Sequence, residues 1–303
     1  MPLPAGGAHD AEIHMRLRSL LFVPGDSERK FAKACGTDAD VLILDLEDAL
    51  APSKKADARA HVASLLSTET KRNWRFFVRI NPFDSGLTLK DLAAVVQPGL
   101  DSILVPKANG AQDIQRIGHY LDALEERIGM TVGTVKIAVV ATETPASIFA
   151  LGGYAPSHQR LVGLTWGAED LAAAVGATAN KEANGTWTLP YQIARAHCLF
   201  AAASAGVAPI DTLYADFRNL DGLAADCRIA RRDGFTGRIA IHPDQVAVIN
   251  ACFSPSETDV AQARRVVEAF AANPGAGTVG IDGKMYDIPH LKAAHRPLVG
   301  VDS

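Results

Sequence analysis

Charged side chains stand at, or just after, the ends of short apolar runs in this sequence. In chain order they are Asp45, Glu47, Arg79, Lys107, Glu143 and Asp170. Carboxylates in such number suit a hard divalent cation, because Mg²⁺ is held by one or two carboxylates together with water and substrate oxygens. They could instead form ion pairs with the two cations, and the pattern by itself leaves both interpretations open.

Two of the acids are the better candidates for metal ligands. Glu143 and Asp170 follow neighbouring runs, so both side chains could reach a single ion. Asp45 and Glu47 alternate along one run, and we expect them to hydrogen-bond water on the metal rather than the ion itself. Capping of the following helix is the alternative for these two. Arg79 could offer a planar, bidentate fork to a substrate carboxylate, a geometry that lysine cannot supply.

Two further segments could bind anions. In TWGAED, Gly167 permits close backbone approach, and the amides of Gly167 and Ala168 enter a helix whose N-terminus attracts a carboxylate or enolate. A simple tight turn is the alternative. Arg29 and Lys33 lie four residues apart on a helix that begins near Ser27, so they share a face suited to phosphate groups. A solvated basic face is the alternative there.

The elements that carry these residues alternate along the chain. Helical stretches separate eight β-type apolar runs, at 17–23, 41–47, 76–80, 102–107, 136–144, 160–167, 208–214 and 238–243. This alternation predicts a parallel sheet covered by helices. Eight such units match a (β/α)₈ TIM barrel of the α/β class, which places catalytic groups at the C-terminal ends of its strands. A doubly wound dinucleotide-binding sheet would need G-x-G-x-x-G after the first strand, and VPGDSERK has a single glycine.

The sequence divides into three segments. We expect residues 1–15 to be a flexible N-terminal extension, residues 16–255 to form the catalytic barrel, and residues 256–303 to form a C-terminal helix and lid. Ser256 or Thr258 is the expected N-cap of that helix.

The expected lid has an unusual composition for a chain terminus. It contains GKMYDIPHLKAA, whose acid is Asp287, and Gly275, Gly277 and Gly280 are expected hinge positions before it. A second segment outside the eightfold pattern, the polar stretch 176–188, is expected to be a surface insertion.

Bulk composition excludes several classes of protein. The net charge of −4 argues against a nucleic-acid partner. No apolar run approaches the roughly 18 to 20 residues that cross a membrane. The four cysteines are widely spaced and form no CxxC pair, so neither a zinc site nor a disulfide framework is indicated, and a reduced, cytoplasmic setting fits.

Eight ordered motifs carry a family resemblance. They are RSLLFVPGDSERKFAKA, DVLILDLEDAL, FVRIN, VPK, ETPASI, LTWGAEDLAAAVG, GFTGRIAIHPDQ and GKMYDIPHLKAA. In this order the chain resembles citrate lyase β-subunit-like proteins of the HpcH/HpaI-type aldolase superfamily, which include malyl-CoA and citramalyl-CoA lyases. The resemblance covers about residues 16–295. Within it, the stretch AIHPDQVAVINACFSPSETDVAQARRVVEAF is especially similar to the citramalyl-CoA lyase branch known from mitochondria.

The resemblance implies specific roles in the barrel. It implies a barrel that binds Mg²⁺, which Mn²⁺ could replace, through Glu143 and Asp170. It places Arg79 on the substrate's carboxylate or carbonyl oxygens, with Gly167 and Ala168 beside the substrate. The CoA is implied to lie along Phe22, Arg29, Lys33, Ile241 and His242. Phe22 stands where some relatives carry tyrosine, and Arg29 stands where some carry lysine.

The resemblance also implies a role for the C-terminal segment and an assembly. Asp287 occupies the position of an acid/base residue, on a segment that closes over a neighbouring subunit's site. Members are commonly trimers or hexamers, so a homo-oligomer is expected.

The expected activity is cleavage, or formation, of a 3-hydroxy-3-carboxyacyl-CoA such as citramalyl-CoA or malyl-CoA. The products are a 2-oxo acid and an acyl-CoA. One alternative is a citrate lyase β subunit that acts on a citryl thioester of an acyl carrier protein. Another is a class II aldolase for free 2-oxo-4-hydroxy acids, for which the basic pair Arg29 and Lys33 would have no evident use. A non-catalytic scaffold would be expected to lack one of Arg79, Glu143, Asp170 or Asp287, and all four are present.

Overall fold

Eight parallel strands close into a barrel in the computed structural model, which describes residues 15–69, 71–155 and 158–298. The strands are β1 (Ser19–Pro24), β2 (Val41–Asp45), β3 (Arg75–Arg79), β4 (Ser102–Val105), β5 (Lys136–Val140), β6 (Leu161–Thr165), β7 (Ala208–Asp211) and β8 (Gly237–Ala240). They pair in sequence order, and β8 closes on β1. The predicted TIM barrel is therefore confirmed. All but the last residue of the expected N-terminal extension, 1–15, lie outside the described residues.

Helices follow the strands on the outside of this barrel. They are α1 (Glu28–Cys35), α2 (Lys55–Thr68), α3 (Thr88–Val95), α4 (Ala111–Arg127), α5 (Pro145–Ala150), α6 (Ala168–Val175), α7 (Leu189–Ala205), α8 (Leu220–Asp233) and α9 (Pro243–Phe253). Outward-facing strand residues such as Leu42, Val78 and Ile103 pack against them in one large apolar cluster. A separate cluster, which includes Ile43 and Phe77, fills the barrel interior. None of the helices in the described ranges is long and apolar enough to cross a membrane.

Strand register decides which polar residues meet at the barrel mouth. Asp45 and Arg79 are direct partners on β2 and β3. Both follow inward-facing residues by two positions, so alternation turns both side chains inward. Between β5 and β6 the register shifts by one residue, because Ile137 partners Leu161 while Ala138 partners Gly163. This bulge re-aims the end of β6.

A buried ionic network fixes the outer side of β6, β7 and β8. The carboxylate of Asp211 accepts hydrogen bonds from Trp166 Nε1 and Arg238 Nη2, both at 2.6 Å, and lies 3.2 Å from Arg195. Burial alone would raise the pKa of Asp211, but Arg238 and Arg195 lower it. Breaking such a pair from one side is strongly destabilising. Trp166 is thereby held in one orientation directly before Gly167.

The residues from Ser254 onward form a separate compact unit, and the expected boundary at 255/256 lies close to this division. It contains α10 (Glu257–Ala271), β9 (Thr278–Ile281), β10 (Lys284–Asp287) and α11 (Ile288–His295). Ser256 is the N-cap of α10, in a capping box with Asp259. The strands pair as an antiparallel hairpin.

The hairpin corrects one hinge assignment. Gly280 lies inside β9, where it partners Met285, so the interpretation of Gly280 as a hinge is wrong. The turn at Asp282 and Gly283 has φ angles of 48° and 74°. Two left-handed residues between paired strands are typical of a type I′ turn, for which Asp-Gly is a preferred sequence.

Candidate active site

The carboxylate of Asp45 holds Arg79 in place. Arg79 donates from Nε to Asp45 Oδ1 and from Nη2 to Asp45 Oδ2, each at 2.7 Å. The same oxygens also accept the backbone N–H groups of Glu47, at 2.9 Å, and Ala49, at 3.1 Å. Four donors use the acceptor capacity of this carboxylate. The expectation that Asp45 would hydrogen-bond water on a metal is therefore replaced by a role in positioning Arg79 and capping the turn after β2.

One edge of the Arg79 guanidinium remains available to a ligand. Its side-on fork is used by Asp45, and Nη1 lies 3.0 Å from Glu47 Oε2, so the second Nη2 hydrogen, on the end-on edge, is the donor that these contacts leave for a ligand. The ring of Phe22 lies 4.6 Å below the guanidinium carbon. Burial opposes the charge of Arg79, yet Asp45, Glu47 and Glu143 together raise its pKa. Arg79 is a fixed, permanent cation.

Lys107 neutralises three acids of the rim. Its ammonium lies 2.5 Å from Glu47, 3.1 Å from Asp48 and 3.2 Å from Asp170. Glu47 therefore contacts both cations, although its burial still raises its pKa. Burial works against the charge of Lys107, but Glu47 and the other acids raise its pKa. A lysine held protonated in this way is unsuited to Schiff-base chemistry, which requires the neutral amine.

Glu143 lies deep in the mouth of the barrel. Its side chain is only 4% exposed, and Oε2 accepts the backbone N–H of Lys107 at 2.6 Å. Lys107 has a φ angle of 49°, an unusual conformation for a residue other than glycine. Burial first, and then the charges of Asp170 and Glu47, raise the pKa of Glu143 to about 8. The site is thus short of positive charge around this carboxyl group.

The residues present fit a hard divalent cation. Glu143, Glu169 and Asp170 line a cavity in which Arg79 is the only cation among the described lining residues, and Lys107 pairs with Asp170 from the rim. In the described residues, no three side chains of His, Cys, Asp or Glu are grouped so that together they could hold a metal ion. A pair of carboxylates is nevertheless the usual protein contribution to Mg²⁺, which keeps waters and substrate oxygens as its other ligands.

Gly167 is explained by the side chain of Glu143. A Cβ atom at Gly167 would lie 2.7 Å from Glu143 Cγ, so a larger residue would displace the buried acid. The Gly167 N–H donates to Thr142 Oγ1 at 3.1 Å and is not free for a substrate. The expected anion site therefore begins at Ala168, the first residue of α6, which has no side-chain cap. Its first-turn amides are available to an anion.

Two cavities open around Arg79. The inner cavity has a volume of about 80 Å³. All five predicted substrate- and metal-site residues line it, namely Arg79, Glu143, Gly167, Ala168 and Asp170, together with Phe22, which was expected to contact CoA. The outer cavity has a volume of about 590 Å³. All five residues expected to contact CoA line it, namely Phe22, Arg29, Lys33, Ile241 and His242.

The outer cavity joins a basic rim to an apolar floor. Arg29 and Lys33 are exposed, and no carboxylate in the described part of the chain lies within ion-pairing distance of either. On the other side, the amide oxygen of Gln245 accepts the backbone N–H groups of Ile241 and His242, at 2.8 and 3.2 Å, which fixes the end of β8. The His242 ring stacks on Phe217 at 4.9 Å.

Sequence reasoning missed several residues of the inner cavity. Leu213, Thr165 and Trp187 line it. Trp187 belongs to the segment 176–188, which was expected to be a surface insertion. Its ring packs against Trp166 at 5.0 Å, and Lys181 lies 4.2 Å above it. The one sequence signal for this contact is Trp187 itself, a large aromatic residue in an otherwise polar stretch.

Comparison with known proteins decides the family. A model of the family described as HpcH/HpaI aldolase/citrate lyase matches residues 18–243. The chain belongs to this family. The resemblance to the citrate lyase β-subunit-like family and the lyase class are therefore confirmed, and the segment matched is the barrel that carries both cavities.

Individual relatives span nearly the whole chain. The citrate lyase β subunit of Haemophilus influenzae is 34% identical over 279 residues, which cover 91% of this chain and 94% of the relative. The (3S)-malyl-CoA thioesterase of Cereibacter sphaeroides is 33% identical over 288 residues, 94% of this chain and 95% of the relative. The crystal structure of the protein CitE from Mycobacterium tuberculosis in complex with magnesium, acetoacetate and coenzyme A matches with a TM-score of 0.73 and 29% identity, covering 96% of this chain and all of that chain.

Proposed function

We propose that the chain is a Mg²⁺-dependent carbon–carbon lyase that cleaves, or forms, a 3-hydroxy-3-carboxyacyl-CoA. One observation carries this proposal: the small inner cavity and the large outer cavity share Phe22, Arg79 and Leu213. A 2-oxo acid fits the volume of the inner cavity, and an acyl-CoA fits a larger groove with a basic rim. The bond between the two products would lie where the cavities meet, at Arg79.

The lining of the inner cavity favours a 2-oxo acid with one carboxylate. Among the described residues that line it, Arg79 is the only cation, and Leu104, Val140, Leu213 and Ile239 give it apolar walls. Oxaloacetate would bring a second carboxylate that meets no second cation there. Pyruvate or glyoxylate would place a methyl group or a hydrogen against the apolar wall, which is the arrangement expected for citramalyl-CoA or malyl-CoA.

The chain's own residues account for most of the chemistry. Arg79, pre-oriented by Asp45, would donate from its end-on edge to the oxygen that becomes the carbonyl of the 2-oxo acid, and the first-turn amides of α6 would bind the carboxylate. When the bond breaks, the hydroxyl gives up its proton to water, its oxygen becomes the carbonyl that Arg79 contacts, and the electron pair of the broken bond passes into the thioester as an enolate, which is then protonated at carbon. Negative charge develops on the hydroxyl oxygen as its proton leaves, so a preorganised donor at that oxygen lowers the barrier. Glu143 and Asp170 would hold Mg²⁺, which supplies Lewis acidity and charge neutralisation when bound. The CitE structure from Mycobacterium tuberculosis, with magnesium, acetoacetate and CoA, supports a requirement for Mg²⁺.

Proton transfer at the carbon next to the thioester requires an acid or base, and we propose Asp287. Within the C-terminal unit its Oδ1 lies 2.5 Å from His290 Nδ1 and accepts the His290 backbone N–H at 3.4 Å, an i,i+3 contact at the start of α11. The hydrogen bond with His290 lowers the pKa of Asp287. Asp287 is therefore a carboxylate at neutral pH, the form that removes a proton.

Replacing Asp287 with asparagine should lower kcat by roughly 10² or more, because the amide cannot accept the proton. Mg²⁺ and CoA affinities, measured by calorimetry, should be nearly unchanged. Asp282→Asn is the matched control, since Asp282 is an exposed acid of the same hairpin and asparagine tolerates its left-handed backbone. Near-normal turnover of Asp287→Asn would make this acid dispensable.

A panel of thioesters tests the proposed substrate class. Purified protein with Mg²⁺ should release acyl-CoA and 2-oxo acid from citramalyl-, malyl- or methylmalyl-CoA. Chromatography of the CoA products would measure this release. Citryl-CoA, which yields oxaloacetate, should be cleaved more slowly. Cleavage of citryl-CoA alone, or only of a citryl thioester on an acyl carrier protein that co-elutes in size exclusion, would instead support a citrate lyase β subunit.

A homo-oligomer, trimer or hexamer, is part of the proposal. Phe149 and Phe200 are 93% and 65% exposed, and a subunit contact would remove these two large apolar side chains from water. A thioesterase step after condensation, which would release the free hydroxy acid, is a second candidate activity. The Cereibacter sphaeroides relative of that name supports it, and the same product analysis would detect free acid and CoA.

A further inference from the structure

The wall of the inner cavity contains a hydroxyl group that the fold does not use. Thr165, the last residue of β6, is 3% exposed, and its Oγ1 atom has no hydrogen-bond partner among the described residues. A buried hydroxyl without a partner costs free energy, on the order of 1–3 kcal/mol. A valine of the same shape would avoid that cost, so the stability of the barrel does not account for a threonine at this position.

The register of the strands places Thr165 at the reacting end of the barrel. It partners Val140 on β5, three residues before Glu143, and Ile210 on β7. Both partners belong to the interior cluster, and Thr165 lines the inner cavity together with Arg79, Glu143 and Asp170. It also precedes Gly167, the N-cap of α6, by two residues.

The neighbouring threonine shows what a structural hydroxyl looks like at the same depth. Thr142, which follows β5, is completely buried, and its Oγ1 accepts the Gly167 N–H at 3.1 Å. The two side chains share chemistry and burial. They differ in that the Thr142 hydroxyl accepts a hydrogen bond within the fold, whereas Thr165 lines the inner cavity and its Oγ1 atom, itself buried, has no hydrogen-bond partner among the described residues.

We propose that the Thr165 hydroxyl donates a hydrogen bond to an oxygen of the bound 2-oxo acid. The inference rests on the proposed function, because it takes the inner cavity as the 2-oxo acid site. Thr165 thereby supplies a polar contact on the wall formed by β6, in addition to Arg79 on β3, and fixes the orientation of a small acid against the apolar side chains Val140 and Ile239. Thr165 would contribute to binding of the 2-oxo acid and not to binding of CoA.

The test compares Thr165→Val, which keeps the volume, with Thr165→Ser, which keeps the hydroxyl. In the condensing direction, Thr165→Val should raise the KM for pyruvate or glyoxylate about tenfold while the KM for the acyl-CoA is unchanged, and Thr165→Ser should stay within about threefold of the parent. Calorimetric titration with pyruvate in the presence of Mg²⁺ should show the same loss of affinity. The melting temperature of Thr165→Val should be equal to or above that of the parent.

Thr142→Val is the matched control for stability. It removes a hydroxyl that is already engaged, so its melting temperature should fall by about 2 °C or more. A similar fall in Thr165→Val, or unchanged pyruvate affinity in that variant, would overturn the role of Thr165. If the parent cleaved no thioester but bound pyruvate in a Thr165-dependent manner, the proposed function would fail while this contact stood. If the parent cleaved thioesters and Thr165→Val kept the same KM for pyruvate, only this inference would fail.

Discussion

Replacing Arg79 with lysine should lower kcat/KM for the thioester by about 10² to 10³. The guanidinium makes a bidentate pair with Asp45 at 2.7 Å and still presents a second edge to the inner cavity. An ammonium group cannot keep both contacts, because its donors do not form a planar fork. Loss of a preorganised donor to a developing charge typically costs this much in rate. Steady-state kinetics in the cleavage direction would measure the change.

Arg75→Lys provides a control on the same strand. Arg75 begins β3 and pairs with Asp101 at 3.4 Å, at the opposite end of the barrel from Arg79. Its activity should match the parent, since the pair is partly exposed and contributes little. Comparable losses in both variants would mean that β3 tolerates no lysine, and an active Arg79→Lys would remove Arg79 from the proposed chemistry.

Replacing Glu143 with glutamine should weaken Mg²⁺ binding by about 10² or more and lower turnover at limiting Mg²⁺ to the same extent. The amide oxygen can still accept the Lys107 N–H, so the fold should persist, but a neutral ligand replaces an anionic one. Calorimetric titration with Mg²⁺ alone measures the affinity without reference to activity. Circular dichroism melting would check the fold.

Asp48→Asn is the matched control for the metal site. Asp48 lies on the same rim, 3.1 Å from the Lys107 ammonium, but its side chain is 56% exposed. Exposed ion pairs contribute little to the stability of a site, so the Mg²⁺ affinity of Asp48→Asn should stay within about threefold of that of the parent. Equal Mg²⁺ affinity in the parent and in Glu143→Gln would exclude Glu143 as a ligand.

The sequence predicted the fold well because strand and helix periods differ so clearly here. The eight apolar runs each overlap a strand, and the acids at their ends meet at one mouth, as parallel strands require. What pattern could not decide was how those acids share two cations. Asp45 was expected beside a metal, yet its direct register with Arg79 makes it that cation's partner.

Two other differences also have physical causes. The bulge between β5 and β6 breaks the strict alternation along RLVGLTWG, so the inward side of Thr165 does not follow from counting along the strand. In the C-terminal unit, Asp-Gly between two short β-type runs is a hairpin signal, but the surrounding glycines favoured a flexible lid instead. The role of Asp287 stays a prediction.

The most direct test of the proposed activity compares a CoA thioester with its free acid in one assay. We predict that citramalyl-CoA or malyl-CoA will yield equal amounts of acyl-CoA and 2-oxo acid with Mg²⁺, that EDTA will abolish the reaction, and that free citramalate and citrate will not react. Cleavage of the free acids alone, or thioester cleavage that EDTA leaves unchanged, would contradict the proposed activity.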